Sequence, residues 1–417
     1  MILRLYTFIN IIFTPFLMLF LIFRVAQKKE DPYRIKEKFG ISKKKKPKKK
    51  IIWFHAASVG ETISVIPLLD ALKNNSEYVI LLTSGTLTST RILKSRLPKN
   101  IIHQFLPLEN YFAIRNFLKH WKPKLAVFLE SEFWPCILNE TAKTTKIISL
   151  NTRISNKSFQ SWKSYNYFFK EIASLFSLFL PQSILDSRRL KDLGANNIRY
   201  MGNIKYGSPS LPYNEQKLLH LKESLKGKKI VLFASTHPKE EQIIINIFHE
   251  LKDQHKSLIF IIAPRHPHRG SQIASMINRQ KYKSILRSKS RKIPSDTDFY
   301  ISDTIGEMGT LFKISPISVI CGSFVNIGGH NPIEAAKLKS SIIIGPHYDN
   351  FKEICKDLKK NKAAIFVKNP KECVKAINLL LSDKHTSRKY VYNALTFINS
   401  KNNLLEGITS EIRKYIK

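Results

Sequence analysis

With 417 residues, the chain is too long for one ordinary hydrophobic core and suits two domains of about 150–200 residues each. Hydrophobic residues at 43% and charged residues at 24% exclude a largely disordered chain. The formal net charge of +38 points to an anionic partner (nucleic acid, an anionic membrane or acidic substrates), or else to compositional drift, since lysine heavily outnumbers arginine.

Tyr6 to Phe23 carries no charged side chain and is rich in Phe, Leu and Ile. At 1.5 Å per residue this run spans roughly 27 Å, close to the hydrocarbon thickness of a bilayer. Pro15 is expected to kink it. No small-residue cleavage site follows, so the run reads as a retained anchor, with a half-buried interfacial helix as the alternative. The next stretch, Arg24 to Lys50, is strongly basic and ends in Lys43-Lys44-Lys45-Lys46-Pro47-Lys48-Lys49-Lys50. Beside an apolar span these lysines are expected to stay cytoplasmic and to rest on anionic headgroups.

Ile51 to His55 reads as a buried strand, followed by a small-residue turn and a helix opening near Gly60. Tyr78–Thr83, Leu125–Leu129 and Lys146–Leu150 read as further strands, with helical stretches between them. Apolar strands alternating with helices imply a parallel sheet covered on both faces. The pattern restarts at Lys229, with strands expected at Ile230–Ala234, Leu258–Ala263, Ile317–Cys321 and Ser341–Ile344. Two Rossmann-like domains follow, loosened near Gly207, Pro209 and Pro212, and their ligands are expected beyond the carboxyl ends of the strands, in a cleft between the domains.

Polar clusters stand at those strand ends. Glu61 suits a general base on an acceptor hydroxyl, whereas its position alone favours a helix N-terminal acid stabilised by the macrodipole. Glu130 and Glu132 flank Ser131 directly after a strand and would orient substrate, or a lysine, or simply form a solvated turn. Lys205, in Gly202-Asn203-Ile204-Lys205, would stabilise a departing phosphate, or is one more surface lysine. Arg265, His266, His268 and Arg269 follow a strand; arginine suits bidentate phosphate binding, while the His-x-His pair lacks a third metal ligand nearby. In Gly328-Gly329-His330-Asn331-Pro332-Ile333-Glu334, two glycines and a helix start suit an anion, with Glu334 placed for ribose hydroxyls. There is no P-loop pattern and no G-x-G-x-x-G after a strand, which argues against a P-loop nucleotidase and a dinucleotide dehydrogenase. Cys136, Cys321, Cys355 and Cys373 fit no zinc framework and read as free thiols in a reducing compartment.

Together these segments resemble the bacterial 3-deoxy-D-manno-octulosonic acid (Kdo) transferases. The matching stretches are Trp53–Glu61, Glu130–Pro135, Gly202–Lys205, Ser235–Pro238, Ala263–Pro267, Asp303–Glu307 and Gly329–Glu334, in order through both domains. The resemblance implies an α/β GT-B glycosyltransferase, two Rossmann-like domains facing an interdomain cleft, plus an N-terminal membrane-anchor helix. It implies inverting, metal-independent transfer of Kdo from CMP-Kdo to the lipid A precursor (lipid IVA) at the bacterial inner membrane, without a cofactor. Glu61 then corresponds to the base, Glu130 and Lys205 to groups stabilising the transition state, and Pro264, Arg265, Gly306, Glu307, Met308, Asn331, Pro332, Ile333 and Glu334 to the CMP-binding positions. The chain is expected to divide into an anchor (1–24), a basic juxtamembrane segment (25–50), an acceptor domain (51–206), a linker (207–228), a CMP-sugar-binding domain (229–385) and a C-terminal helix (386–417) packing back toward the acceptor domain. Ser131, Gly207 and Cys321 depart from the family's usual Thr, Asp and Gly. Expected partners are CMP-Kdo, the glycolipid and anionic inner-membrane lipids, with no nucleic acid; the oligomeric state is not legible. The competing readings are another nucleotide-sugar transferase acting on a membrane lipid and a membrane-tethered nucleic-acid-binding protein, although no nucleic-acid motif is present.

Overall fold

The computed structural model describes residues 2–27, 29–72, 77–87, 90, 93, 97–98, 100–290 and 292–416. Met1, Lys28 and Lys417, which the expected anchor, basic segment and C-terminal helix included, lie outside the described residues. The chain forms two compact units, Met1–Ser208 with Asn402–Lys417, and Pro209–Lys401.

The first unit is built on β1 (Lys50–Ala56), β2 (Tyr78–Ser84), β3 (Ile102–Phe105), β4 (Leu125–Leu129), β5 (Lys146–Thr152) and β6 (Leu178–Pro181). They lie in the order β3-β2-β1-β4-β5-β6, every pair parallel. Alternation along each strand supplies both faces. Ile52, Phe54, Leu125 and Val127 join one core cluster; Ile51, Trp53, Ala126 and Phe128 join the other. The helix Leu404–Arg413 closes the first cluster with Ile408 and Ile412, beside Val65, Leu68 and Leu69 of the helix Val59–Leu72.

The second unit carries β7 (Lys229–Thr236), β8 (Leu258–Pro264), β9 (Ser284–Leu286), β10 (Phe299–Ile301), β11 (Ile317–Ile320), β12 (Ser341–Ile344) and β13 (Ile365–Phe366). The order is β13-β12-β11-β7-β8-β10-β9, again all parallel. In the first sheet the order reverses between β1 and β4; in the second it reverses between β7 and β11, and β9 then lies outside β10 at the edge. Crevices for ligands open at such reversals.

Residues 207–228, expected as a linker, contain the helix Glu215–Ser224, capped by Asn214 and burying Leu218 and Leu221. At the C-terminus, the helix Lys384–Asn399 belongs to the second unit and only Asn402 onward to the first. Gly207 is shaped by that return. A Cβ there would come within 2.4 Å of Leu405 Cγ, so the position is held small.

The apolar run near the N-terminus is not one straight helix. It forms the helices Ile2–Ile12 and Thr14–Ala26, bent by 58° at Phe13. Pro15 has no N–H to give to Ile11 and its ring crowds that carbonyl, so the break falls there. The first helix is tied to the unit: the Leu3 N–H bonds Glu171, the Asn10 amide donates to the Glu109 carbonyl, and Asn10 Oδ1 accepts from the Tyr111 N–H. No single described helix is long and apolar enough to cross a membrane; the bent pair meets the length and composition requirement together. Both helices leave large apolar side chains exposed, among them Phe8, Phe16, Leu19 and Ile22.

Candidate active site

Glu61 stands in the first turn of the helix after β1, held by a reciprocal cap. The Ser58 hydroxyl donates to Glu61 Oε1 at 2.7 Å and accepts the Glu61 N–H at 3.2 Å, while the Ala57 N–H donates to Oε2 at 2.8 Å. Glu61 is therefore a capping residue at the carboxyl end of β1. Its side chain is buried, and burial, followed by the nearby charge of Glu130, raises its pKa above the usual carboxylate value.

Glu130 terminates β4, the neighbour of β1 at the reversal. Its φ of 56° is left-handed, a costly conformation for a residue with a side chain, and it aims the carboxylate at Lys205 Nζ, 2.9 Å away. Glu132, two residues on, faces Nε2 of the buried His55 at 3.3 Å and accepts from the Trp134 indole. Burial alone would raise the Glu132 pKa, but His55 and Trp134 hold it below the usual value. Lys205 is positioned from behind by amides. Asn151, itself left-handed at φ 56°, accepts from the Ile204 N–H; Asn203 accepts from the Lys205 N–H; and Asn151 and Asn203 both donate to Gln182. Glu61, Glu130 and Lys205, predicted separately, thus belong to one charge cluster of the first unit.

In the second unit the predicted positions gather at the β7–β11 reversal and beside it. Glu240, nearly unexposed, accepts the N–H groups of His237, Gly322 and Phe324 and so ties the ends of β7 and β11 together. The turn through Gly328 (φ 93°) and Gly329 (φ 74°) needs left-handed backbone at two successive residues, which glycine supplies without steric cost. Asn331 then caps the short helix Pro332–Lys337, accepting from the Ile333 N–H and donating to Glu334 at 3.4 Å. His330 and His237 bring their Nε2 atoms to 2.9 Å in nearly coplanar rings, so one donates to the other; burial, then His237, pushes the His330 pKa down to about 4. Pro264 closes β8 and Arg265 is exposed beyond it. Gly306 (φ 86°) leads into Glu307, whose carboxylate takes Lys217 at 2.6 Å, Arg287 at 3.2 Å and the Thr304 hydroxyl, just ahead of Met308 at the start of the helix Met308–Ile314. Against its burial, these donors hold the Glu307 pKa down at about 2.

Residues 33–208 match the 3-deoxy-D-manno-octulosonic-acid transferase (kdotransferase) family, and residues 216–397 match the glycosyl transferases group 1 family. A 3-deoxy-D-manno-octulosonic acid transferase of Rickettsia bellii is 39% identical over 416 residues, 99% of each chain. The chain belongs to the Kdo transferase family. A probable mitochondrial member from Arabidopsis thaliana is 34% identical, over 91% of this chain and 88% of its own. The protein is a Kdo-transferring glycosyltransferase of GT-B fold, two Rossmann-like units in one chain. That fold is shared with a glycosyltransferase from Rickettsia africae (TM-score 0.62, 16% identity, 89% of this chain and 99% of the other). UDP-GlcNAc 2-epimerase from Neisseria meningitidis shares it too (TM-score 0.59, 11% identity, 88% of this chain and 100% of the other).

Several groups of this Kdo transferase escape sequence reasoning. The His237–His330 pair, the Asn151–Gln182–Asn203 relay and the Lys217–Glu307–Arg287 cluster each join residues far apart in the chain. Placement at a strand end hinted at some of them, such as Asn151, Gln182 and Arg287, and Lys217 stands within a helix. No three His, Cys, Asp or Glu residues converge to hold a metal ion among the described residues. The four cysteines are free and buried. A broad groove of about 1020 Å³ on the first unit is lined chiefly by cations, including Lys46, Lys48, Lys49, Arg115 and Lys119.

Proposed function

We propose that the enzyme transfers Kdo from CMP-Kdo to the lipid A precursor of lipopolysaccharide, with inversion, at the cytoplasmic face of a bacterial inner membrane. The observation that carries this reading is the buried Glu61 carboxylate, its pKa raised, sharing one charge cluster with the Glu130–Lys205 pair at the β1–β4 reversal. Glu61 takes the proton of the acceptor hydroxyl as its oxygen bonds to the anomeric carbon of Kdo. The bond from that carbon to the phosphate oxygen breaks, and CMP leaves with the electron pair. A phosphate leaves without a general acid, so the demand falls on the acceptor proton and on developing charge. Lys205, fixed by Glu130, answers the second demand. Pro264, Arg265, the Gly306–Met308 turn and Asn331–Glu334 hold CMP, with Glu307 braced by Arg287 and Lys217. The exposed apolar helix pair and the lysine-rich segment after it support membrane attachment, by a bent span or by an interfacial lie.

Incubation with CMP-Kdo and lipid A precursor, followed by mass spectrometry of the lipid, tests this directly. Transfer from UDP-sugars but not from CMP-Kdo would overturn the donor assignment. In Glu61→Gln, turnover falls by about 10²–10⁴-fold, while CMP titration stays near wild type because its site lies in the other unit.

A further inference from the structure

Beside the catalytic cluster lies a pocket of about 260 Å³ lined by Ser131, Phe133, Trp134, Arg153, Ile154, Ser158 and Trp162. Its floor is the turn that carries Glu130 and Glu132, and the indole N–H of Trp134 bonds Glu132 directly. The Ser131 hydroxyl donates to the Arg153 carbonyl, which fastens the wall to that turn. Arg153 is the single charged residue in the lining. Two tryptophans and one arginine lining a small space suit a sugar ring bearing an anionic substituent: aromatic faces pack on the ring, and the planar fork of arginine matches phosphate or carboxylate.

The opposite wall leads to the apolar N-terminal helices. Trp162 packs on Phe133 with centroids 6.5 Å apart and on Phe168 at 6.3 Å, and Phe168 packs on Tyr6 at 6.2 Å. The pocket therefore sits between the buried carboxylates and the helix pair that leaves Leu5, Phe8 and Phe16 exposed. An amphipathic acceptor with its chains in a bilayer and its polar head at the carboxylates would pass through this place.

We infer that the Trp134–Arg153–Trp162 pocket is the acceptor subsite, and that it takes a phosphorylated sugar of the glycolipid, with Arg153 reading the phosphate. This rests on the function proposed above and adds residues that determine which acceptor is used.

The test compares a phosphorylated disaccharide glycolipid with its dephosphorylated form on the full chain in detergent. Arg153→Ala raises KM for the phosphorylated acceptor about 10–100-fold, the range expected when a charged hydrogen bond is lost, and leaves KM for CMP-Kdo unchanged. It adds little further loss on the dephosphorylated acceptor, and Arg153→Lys restores part of the difference. Trp134→Ala, at a side chain 45% exposed, weakens both acceptors alike. Flotation with phosphatidylglycerol vesicles separates an acceptor phosphate from a general membrane anion, and Arg153→Ala floats as the wild type does. An unchanged acceptor KM, an equal penalty on both acceptors, or a parallel loss of vesicle binding overturns the inference. If the wild type moves no Kdo from CMP-Kdo, the functional reading fails separately. Direct titration of the glycolipid, without donor, then decides the subsite: weaker binding by Arg153→Ala upholds it and equal binding overturns it.

Discussion

A carboxylate serves as a base only while ionised, and Glu61, the base proposed above, is kept from ionising early by its surroundings. Burial raises its pKa most, the Glu130 charge adds to this, and the hydrogen bonds from Ser58 and Ala57 work the other way. The sign follows: activity falls as pH drops through the raised pKa, so the acid limb of kcat/KM lies above the pH at which a free glutamate titrates. Glu130→Gln removes a like charge. It lowers the plateau, because Lys205 loses the charge of Glu130 beside it, and it also moves the acid limb to lower pH. A pH–rate profile of both proteins checks this, and a limb that stays in place would assign the titration to a group other than Glu61. That Glu61 and Glu130 stand at strand ends was legible in the sequence, and Lys205 closes a recognisable motif; that their charges cluster was not. The amides of Asn151, Gln182 and Asn203 were not, because separate chain segments meet only in the folded unit.

At the scale of elements, most strands with an apolar run were legible, the four-residue β11 and β12 among them, whereas β3, β6, β9, β10 and β13 were not. β1, β4, β7 and β8 are continuous hydrophobic runs, as a sheet buried on both faces requires. β3 hides because His103 and Gln104 are buried polar residues within it, and β9, β10 and β13 are only two or three residues long. Backbone approach is also invisible to periodicity. Gly309, in the first turn of the helix Met308–Ile314, faces the segment leading into the second unit, and a Cβ there would lie 2.1 Å from the Pro212 carbonyl oxygen. Backbone cannot swing aside as a side chain can. Gly309→Ala therefore destabilises the second unit by about 1–3 kcal/mol, the usual cost of overpacking, and displaces the Gly306–Met308 turn. Urea unfolding reads the first effect and CMP titration the second. Wild-type values for both would show that the 209–212 segment yields freely.

For the whole molecule, the net charge of +38 and the exposed apolar helices bear jointly on the membrane attachment proposed above. Apolar side chains in the acyl boundary bind a bilayer whatever its charge, whereas lysines at the headgroups contribute about 1 kcal/mol each and are screened by salt. The two contributions separate experimentally. Replacing Lys45, Lys46, Lys48 and Lys49 by Gln removes part of the basic segment, including three residues that line the cationic groove. Flotation with vesicles rich in phosphatidylglycerol then weakens at least about tenfold, and binding loses most of its salt dependence. Phe16→Asp with Phe20→Asp, at side chains 66% and 56% exposed, places charges on the apolar face instead and abolishes flotation even at low salt. Neither set touches Glu61, Glu130 or Lys205, so turnover of detergent-dispersed acceptor stays near wild type while turnover of acceptor embedded in vesicles falls. If the lysine variant kept its full salt dependence, the basic segment would be solvated surface, and the charge balance would reflect composition rather than a membrane.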